Sequence, residues 1–178
     1  MDSINKNQKE DNFKNLIGQE ALDKLKLLAE KGGSCFFCTK IQTGQHFSTR
    51  PMAPEKVDDD GNFWFLSAND SHKNKELEQD SATQLLFQGS EYSDFMTLYG
   101  KTEISTDKAK IEELWDATMK TWFTEGKDDP RITVLKFVPT EGYYWDTKNN
   151  MLVAMAKRLY GSVVGETYDD SIEGTIKP

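Results

Sequence analysis

The segment from residue 44 to residue 77 constrains the fold of this chain most strongly, because it predicts two β-strands and the start of a helix in immediate succession. The sequence Asp-Asp-Asp-Gly at residues 58–61 separates two extended runs, and its glycine supplies the positive φ that a hairpin reversal needs. The run after the turn, residues 62–68, forms the second strand. The segment therefore predicts a β-hairpin that leads directly into a helix.

The first strand of this hairpin is predicted to carry its functional side chains on one face. Alternation with period two brings every second side chain to that face, namely His46, Ser48, Arg50 and Met52. A histidine at position 46 has two interpretations, as a contact to a ligand or as a side chain whose hydrogen bonds are satisfied within the strand. Arg50 gives this face a positive charge.

The helix start after the hairpin is a candidate anion site. Asp70 or Ser71 can cap it, and its first turn carries three basic residues: His72, Lys73 and Lys75. A helix N-terminus offers free backbone N–H groups and a positive dipole end, which by itself disfavours a lysine in the first turn. Lys73 therefore suggests an anion between its ammonium group and the helix end, with a solvated surface lysine as the alternative.

Charge and composition limit the classes of function. The chain has 178 residues, which suits one domain, and a net charge of −8 from 22 basic and 30 acidic residues. Nucleic-acid binding needs clustered basic residues and is not expected. An acidic protein that binds phosphate must gather its positive charges locally, as Arg50 and the basic helix start do.

No apolar run approaches the ~20 residues of a membrane helix. The N-terminus lacks an apolar signal-peptide core, so we predict a cytoplasmic protein.

The two cysteines, Cys35 and Cys38, are predicted to be buried and reduced. Their spacing is a weak zinc or redox signal, because the sequence has no second pair and no suitably spaced histidine. In a strand the two side chains would point to opposite faces. No metal site is predicted.

The remaining periodicities predict the other elements. Apolar residues at three- and four-residue steps from Phe13 to Leu28 indicate a helix that ends at Gly32 and Gly33. A bulge is expected at Gly100. Further strands are expected at residues 34–41, 82–88, 93–105, 132–138 and 141–146, the last two on either side of Pro139. Further helices are expected after a cap at Thr106 and Asp107, continuing to Trp122, and at residues 151–160.

This order of elements predicts a mainly β protein with flanking helices, an α+β fold with six or seven antiparallel strands closed into a small barrel. The chain has no βαβ alternation and no Gly-x-Gly-x-x-Gly motif, which disfavours a Rossmann domain. We predict a flexible N-terminus at residues 1–11, one domain at residues 12–164 and a C-terminal tail at residues 165–178.

Four short motifs stand in order along the chain: Arg50-Pro51-Met52, the Asp-Gly turn at residues 60–61, Trp64-Phe65-Leu66-Ser67 and Ser71-His72-Lys73. Together they resemble the FMN-binding split-barrel family, and most closely its general stress protein branch, the pyridoxamine 5′-phosphate oxidase-like proteins. The resemblance covers roughly residues 12–160. It implies an antiparallel split β-barrel and a homodimer with FMN at the subunit interface. FAD is the alternative cofactor.

The resemblance also implies which residues bind the flavin. In the family, the first motif strand contributes an arginine and the residues just after it, which here are Arg50, Pro51 and Met52. The end of the next strand and the following turn hold the ribityl chain and the phosphate, and the matching positions are Leu66, Ser67, Ser71, His72 and Lys73. An aromatic residue near the end of the last strand comes from the other subunit. Its match is Trp145, with a core or interface tryptophan as the alternative.

The chain departs from the oxidase in the substrate half of the site. Trp145 is not followed by the Arg-x-His pair that binds the vitamin phosphate, and Phe95 stands where the oxidase has a glutamine. The resemblance therefore implies an FMN-dependent oxidoreductase that is not a pyridoxamine-phosphate oxidase, with an unidentified substrate and no assigned catalytic residue. The alternatives are a non-catalytic protein that binds or senses flavin, and a flavin-free dimeric split barrel.

Overall fold

Nine β-strands and three α-helices build the fold in the computed structural model, which describes residues 11–91, 93–148 and 170–178. The strands are β1 (Leu16–Ile17), β2 (Cys35–Thr39), β3 (Ser48–Met52), β4 (Lys56–Val57), β5 (Phe63–Ala68), β6 (Ala82–Gln88), β7 (Phe95–Ser105), β8 (Ile132–Thr147) and β9 (Ser171–Lys177). The helices are α1 (Gln19–Gly32), α2 (His72–Gln79) and α3 (Lys108–Leu114), and α3 is followed by short 3₁₀ helices at Ala117–Thr121 and Gly126–Asp128.

Strand β8 organises the sheet, because it is 16 residues long and pairs along both edges. One edge pairs antiparallel with β7 over most of its length, whereas the other edge is divided between β5 and β9. From β7 the sheet continues through β6 and β2 to β3. Strand β1 adds to β9 in parallel, and β4 adds to β5. The prediction of a mainly β fold with flanking helices and largely antiparallel strands is confirmed.

Two apolar cores lie on opposite faces of β5, because its side chains alternate. Phe63 and Phe65 point into the larger core, in which α1 packs against the sheet, and the rings of Phe65 and Phe37 meet edge to face at 5.3 Å. Trp64 and Leu66 pack on the smaller core, which contains apolar residues of α3 and of the first 3₁₀ helix. Strand β5 is therefore anchored on both faces, and the start of α2 just beyond its end has a fixed position.

The predicted hairpin is wrong in its pairing. Strand β3 pairs with β2, and the strand that the acidic turn joins to β5 is the two-residue β4. Pro54 lies between β3 and β4 and lacks the N–H that a continuous ladder would need, so the two strands separate there. The turn itself is as predicted, with φ of 80° at Gly61. His46 precedes β3 and is exposed, so it does not belong to the face of Arg50.

The first and third helices are shorter than predicted. Gly18 has a positive φ of 61° before α1, so the helix begins at Gln19, and the chain ahead of it adds to β9 instead. Helix α3 ends at Leu114 because Trp115 is extended. Asp116 then caps a separate 3₁₀ helix by accepting a hydrogen bond from the Thr118 N–H.

The two strands predicted around Pro139 are one continuous strand, β8. Its ladder with β7 shifts register between Tyr99 and Gly100, which is the bulge predicted there and lies opposite Pro139. A Cβ on Gly100 would lie 2.1 Å from the Val138 carbonyl oxygen, so only glycine fits this approach. The helix predicted at residues 151–160 lies outside the described residues.

The end of the chain is part of the sheet, although its sequence pattern did not predict a strand. Strand β9 pairs with the last residues of β8, and Ile176 is fully buried in the larger core. A Cβ on Gly174 would meet the Lys14 carbonyl oxygen at 2.1 Å, so glycine permits the close contact with the N-terminal segment. The domain boundaries given above stay a prediction.

Both cysteines are buried and unbridged, as predicted. Burial, with the neighbouring Cys38, raises the pKa of Cys35 to about 12, so its thiol is not a reactive thiolate at neutral pH. Within the described parts of the chain, no helix is long and apolar enough to cross a membrane.

Candidate functional site

Arg50 of β3 is held in place by Glu76 of α2. Its Nη2 donates to Glu76 Oε2 over 2.7 Å, and its Nη1 donates to Thr39 Oγ1 over 2.7 Å. Thr39 Oγ1 donates to Glu76 Oε2 over 2.5 Å, which closes a ring of three side chains. Ser48 Oγ donates to Glu76 Oε1 over 2.9 Å, and Lys40 Nζ lies 3.6 Å from that oxygen. The guanidinium therefore has a defined orientation, with further N–H donors that meet no acceptor among the described residues.

Glu76 is ionised at every physiological pH. Burial raises its pKa, but the hydrogen bonds from Thr39, Arg50 and Ser48 and the charge of Arg50 outweigh burial and hold the pKa at about 2. The side chain is only 11% exposed, so its contacts with Arg50 are shielded from water. Glu76 thus neutralises one positive charge of the site permanently.

Lys73 is the basic residue of the site that lacks an acidic partner. Its side chain is half-buried at the start of α2, and it makes no hydrogen bond or ion pair within the part of the chain that the structure describes. Burial lowers the pKa of Lys73, and the nearby charge of Arg50 lowers it further. Two neighbouring positive charges in a partly buried position favour the binding of an anion between them.

The N-terminus of α2 adds backbone donors to this position. Ser71 caps the helix, accepting a hydrogen bond from the Asn74 N–H. The backbone N–H groups of His72 and Lys73 meet no acceptor among the described residues, as expected at an open helix start. The site therefore combines Lys73, the remaining donors of Arg50 and the positive end of the α2 dipole.

A buried polar network keeps this helix start rigid. Ser67 Oγ donates to Asn74 Oδ1 over 2.6 Å, and Asn74 Nδ2 donates to Thr133 Oγ1 over 2.8 Å. Ser71 Oγ also donates to Asn74 Oδ1, over 3.0 Å. Thr133 donates to the Ser67 carbonyl over 3.0 Å, which ties β5, α2 and β8 together. The hydroxyls of Ser67 and Ser71 are thereby engaged with the protein.

The net charge of the site suits a phosphate monoester. Arg50, Lys73 and Lys40 carry positive charge, and Glu76 is the acidic residue that pairs with Arg50 and Lys40 among the described residues. The excess positive charge matches a phosphate group, which carries about −1.5 to −2 at neutral pH. A neutral ligand would leave Lys73 and Arg50 repelling each other.

The other predicted site residues are distributed over several places. Met52 packs against the larger core, on the inner face of β3, whereas Pro51 is exposed on its outer face. The side chain of Leu66 packs on the smaller core. His72 is exposed. Trp145 lies on β8, four strands away from β3 along the sheet. One chain therefore brings Arg50 and Lys73 together but does not bring Trp145 to them.

Sequence patterning missed the residues that hold Arg50. Glu76 lies one helical turn after Lys73, and an acidic residue at that spacing was an available signal. Ser48 was placed correctly on the face of Arg50 but was given no role. Thr39 and Lys40 could not be found, because only the pairing of β2 with β3 brings them to the site.

The outer face of the sheet carries a group of exposed aromatic side chains, which is a second candidate interaction surface. The register aligns Phe36 with Leu86, Leu86 with Thr97, and Thr97 with Tyr143 on one face, which also carries Trp145. Phe36 is 56% exposed and Trp145 is 42% exposed, with the Trp145 ring 4.8 Å from that of Tyr143. Large exposed apolar surfaces of this kind mark interaction sites.

A cleft of about 340 Å³ opens on the same outer face. Its lining includes Phe36, Pro51, Leu86, Gln88 and Phe95, and none of the described residues around it carries a charged side chain. The cleft therefore suits an uncharged, largely apolar group. No cluster of three or more potential metal-ligating side chains occurs within residues 11–91, 93–148 and 170–178.

The comparisons with known proteins agree on one family. The family described as "Pyridoxamine 5′-phosphate oxidase like" matches residues 20–169. A structure named for general stress protein 26, from Jannaschia sp. CCS1, is 25% identical, with a TM-score of 0.73 over 88% of this chain and 97% of that one. A Clostridium acetobutylicum protein related to general stress protein 26, of the pyridoxinephosphate oxidase family, is 24% identical, with a TM-score of 0.61 over 76% and 94%. No curated protein matches the sequence.

A third structure shares the fold and has a cofactor in its name. It is the pyridoxamine 5′-phosphate oxidase-related, FMN binding protein of Nostoc punctiforme, 15% identical with a TM-score of 0.55 over 71% of this chain and 80% of that one. With the other two, it identifies the fold as the split barrel of this family. The predicted resemblance and fold class are thus confirmed.

Proposed function

Because the chain belongs to the pyridoxamine 5′-phosphate oxidase-like family, we propose that it binds FMN and holds the FMN phosphate at Arg50 and Lys73. The observation that carries this proposal is Lys73, a half-buried lysine beside Arg50 with no acidic partner among the described residues. The Nostoc punctiforme relative, described as FMN-binding, supports FMN as the cofactor. FAD would use the same phosphate site for its FMN half.

The protein residues would divide the work of binding. Lys73, Arg50 and the N–H groups at the start of α2 would bind the phosphate with charge-assisted hydrogen bonds. Ser67 and Ser71 would act through the network that fixes the helix start, since their hydroxyls already bond within it. Pro51, Met52, Leu66 and His72 would border the ribityl chain and the ring chiefly through their backbone.

We also propose that the protein is an oxidoreductase with a substrate other than pyridoxamine phosphate. The isoalloxazine ring of FMN supplies the redox chemistry when bound. The absence of an Arg-x-His pair after Trp145 leaves no counterpart of the vitamin-phosphate site. The uncharged lining of the cleft that includes Phe95 favours a substrate without a phosphate group. A protein that only stores or senses flavin is the alternative.

The proposed assembly is a homodimer across the outer face of the sheet. This face carries Phe36, Tyr143 and Trp145. Such a group of aromatic side chains on an exposed surface is typical of an interface. Trp145 lies on β8, four strands from β3 in the order of the sheet, so the tryptophan beside the flavin would come from a second copy. The dimer would thus complete the site.

An absorption spectrum tests the flavin proposal. The purified protein is mixed with excess FMN, freed of unbound FMN and scanned for flavin bands. The proposal predicts close to one flavin per subunit, and no retained flavin would contradict it. NADPH or NADH is then added without oxygen. Rapid bleaching supports an oxidoreductase, whereas a flavin that stays oxidised with both donors supports storage or sensing.

A further inference from the structure

Glu76 of α2 connects its helix to two strands, β2 and β3, at the proposed phosphate site. It receives hydrogen bonds from Thr39 at the end of β2, and from Ser48 and Arg50 of β3. Because it belongs to α2, it fixes the distance between Lys73 on the helix and Arg50 on the strand. The N-terminus of α2 and the guanidinium of Arg50 therefore cannot move independently while this carboxylate is in place.

An acidic residue is unexpected beside an anion site. By charge alone, Glu76 opposes the binding of phosphate, since it cancels part of the positive charge of Arg50 and Lys40. Its hydrogen bonds have the opposite effect. They hold the guanidinium in one orientation before any ligand arrives, which removes the cost of ordering a flexible arginine on binding.

We propose that Glu76 is a positioning residue that orients Arg50 for the FMN phosphate, and that this orientation outweighs its unfavourable charge. The proposal rests on the proposed function. It assigns Glu76 no contact with the ligand, because both carboxylate oxygens already accept hydrogen bonds from the protein.

The two effects of Glu76 predict opposite results for Glu76→Gln. A carboxamide keeps one acceptor oxygen and turns an NH₂ group toward donors that need an acceptor, so Arg50 loses its fixed orientation. We expect FMN affinity to fall about tenfold. If charge dominated, the same variant would bind FMN more tightly than wild type, which would overturn the proposal.

A comparison of FMN with riboflavin distinguishes a positioning role of Glu76 from general damage to the fold. Riboflavin lacks the phosphate, so we expect its affinity to be the same in wild type and in Glu76→Gln. An equal loss for FMN and riboflavin would show a merely structural role and overturn the proposal. Glu78→Gln, an exposed acidic residue on the same helix, is the control and should change neither affinity.

A double-mutant cycle tests whether Glu76 acts through Arg50. In an Arg50→Ala background, Glu76→Gln should cause no further loss of FMN affinity, because there is no guanidinium left to orient. Additive losses would overturn the proposal. Should Glu76→Gln fail to fold, Thr39→Val replaces it. This change removes the hydroxyl that bridges Arg50 and Glu76, and it should lower FMN affinity in the same way, leaving riboflavin affinity unchanged.

The outcome also distinguishes this proposal from the one on which it rests. A wild-type protein that binds neither FMN nor riboflavin would overturn both. A wild-type protein that prefers FMN, together with a Glu76→Gln variant of unchanged FMN affinity, would overturn only the role of Glu76.

Discussion

The proposed phosphate site at Lys73 and Arg50 should lower the stability of the protein when no ligand is bound. The two positive charges face each other in a partly buried position, and only one of them is paired with Glu76. Sequence patterning identified both residues: Arg50 by its place on one face of a predicted strand, and Lys73 because a lysine in the first turn of a helix contradicts the dipole preference. The residues that hold Arg50 were missed, because Thr39 comes from β2 and Glu76 from α2, and only the folded chain brings them to β3.

Replacing Lys73 should stabilise the unliganded protein. Folding lowers the pKa of Lys73, so the charged form is disfavoured in the folded state at neutral pH and its removal relieves that cost. We expect Lys73→Met to raise the melting temperature slightly in calorimetry without flavin. Lys75→Met, at an exposed position, should leave it unchanged. A clear fall for Lys73→Met would mean that the lysine is paired in solution.

The contribution of Glu76 to stability should depend on pH. Folding lowers its pKa from 4.5 to about 2, so its stabilising effect is fully present above pH 4.5 and is lost as the pH falls through about 2. Glu76→Gln should lower the free energy of unfolding by about 2 kcal/mol at pH 7, because a hydrogen bond to a charged group contributes about that much to stability. Urea denaturation from pH 7 to pH 3 should show the difference from wild type shrinking below pH 4.5. A difference that stays constant over this range would contradict the ionic role.

At the scale of elements, patterns that depend on neighbours in sequence were predicted well. The Asp-Gly turn, the Ser71 cap of α2, strand β6 and the bulge at Gly100 all follow from local chemistry and are confirmed. Pairing was not predicted in the same way: β3 pairs with the preceding β2 and not with β5, because Pro54 separates β3 from the short strand that enters the acidic turn. Strand β9 was missed because Gly174 takes the place of an apolar side chain between Ile172 and Ile176 and so interrupts the alternation.

Strand β9 should be essential to the fold. Ile176 is fully buried in the larger core, so Ile176→Ala leaves a cavity and should cost about 2–5 kcal/mol of unfolding free energy. Lys177→Ala at the exposed end of the strand should change it by no more than about 0.5 kcal/mol. Chemical denaturation of both variants provides the comparison. Equal stability of the two would show that the chain end is a dispensable tail.

At the scale of the whole molecule, the two functional surfaces lie on different sides of the sheet. The Arg50–Lys73 site is at the inner side of β3, and the aromatic face of Phe36, Tyr143 and Trp145 is the outer side. A single copy therefore presents the proposed phosphate site and a separate apolar face. The proposed homodimer connects them by bringing a tryptophan of one copy to the site of the other.

A charge on the outer face should break this dimer. Phe36→Glu places a carboxylate on the aromatic face, and burying it unpaired in a dimer interface would be costly. Light scattering coupled to size-exclusion chromatography should report a dimer for wild type and a monomer for Phe36→Glu. Trp122→Glu is the matched control, because Trp122 is 68% exposed just after the first 3₁₀ helix and does not lie on this face. Wild-type protein that is monomeric at high concentration would rule out the assembly.

The most direct test of the central claim is a calorimetric titration of FMN and of riboflavin into wild-type protein and Lys73→Met. Binding of the phosphate at Lys73 predicts that wild type prefers FMN and that the variant loses roughly 10- to 150-fold in FMN affinity, the value of one charge-assisted hydrogen bond. Riboflavin should bind both proteins equally, and Lys75→Met should behave as wild type. FMN affinity that is the same in wild type and Lys73→Met would contradict the placement of the phosphate at Arg50 and Lys73.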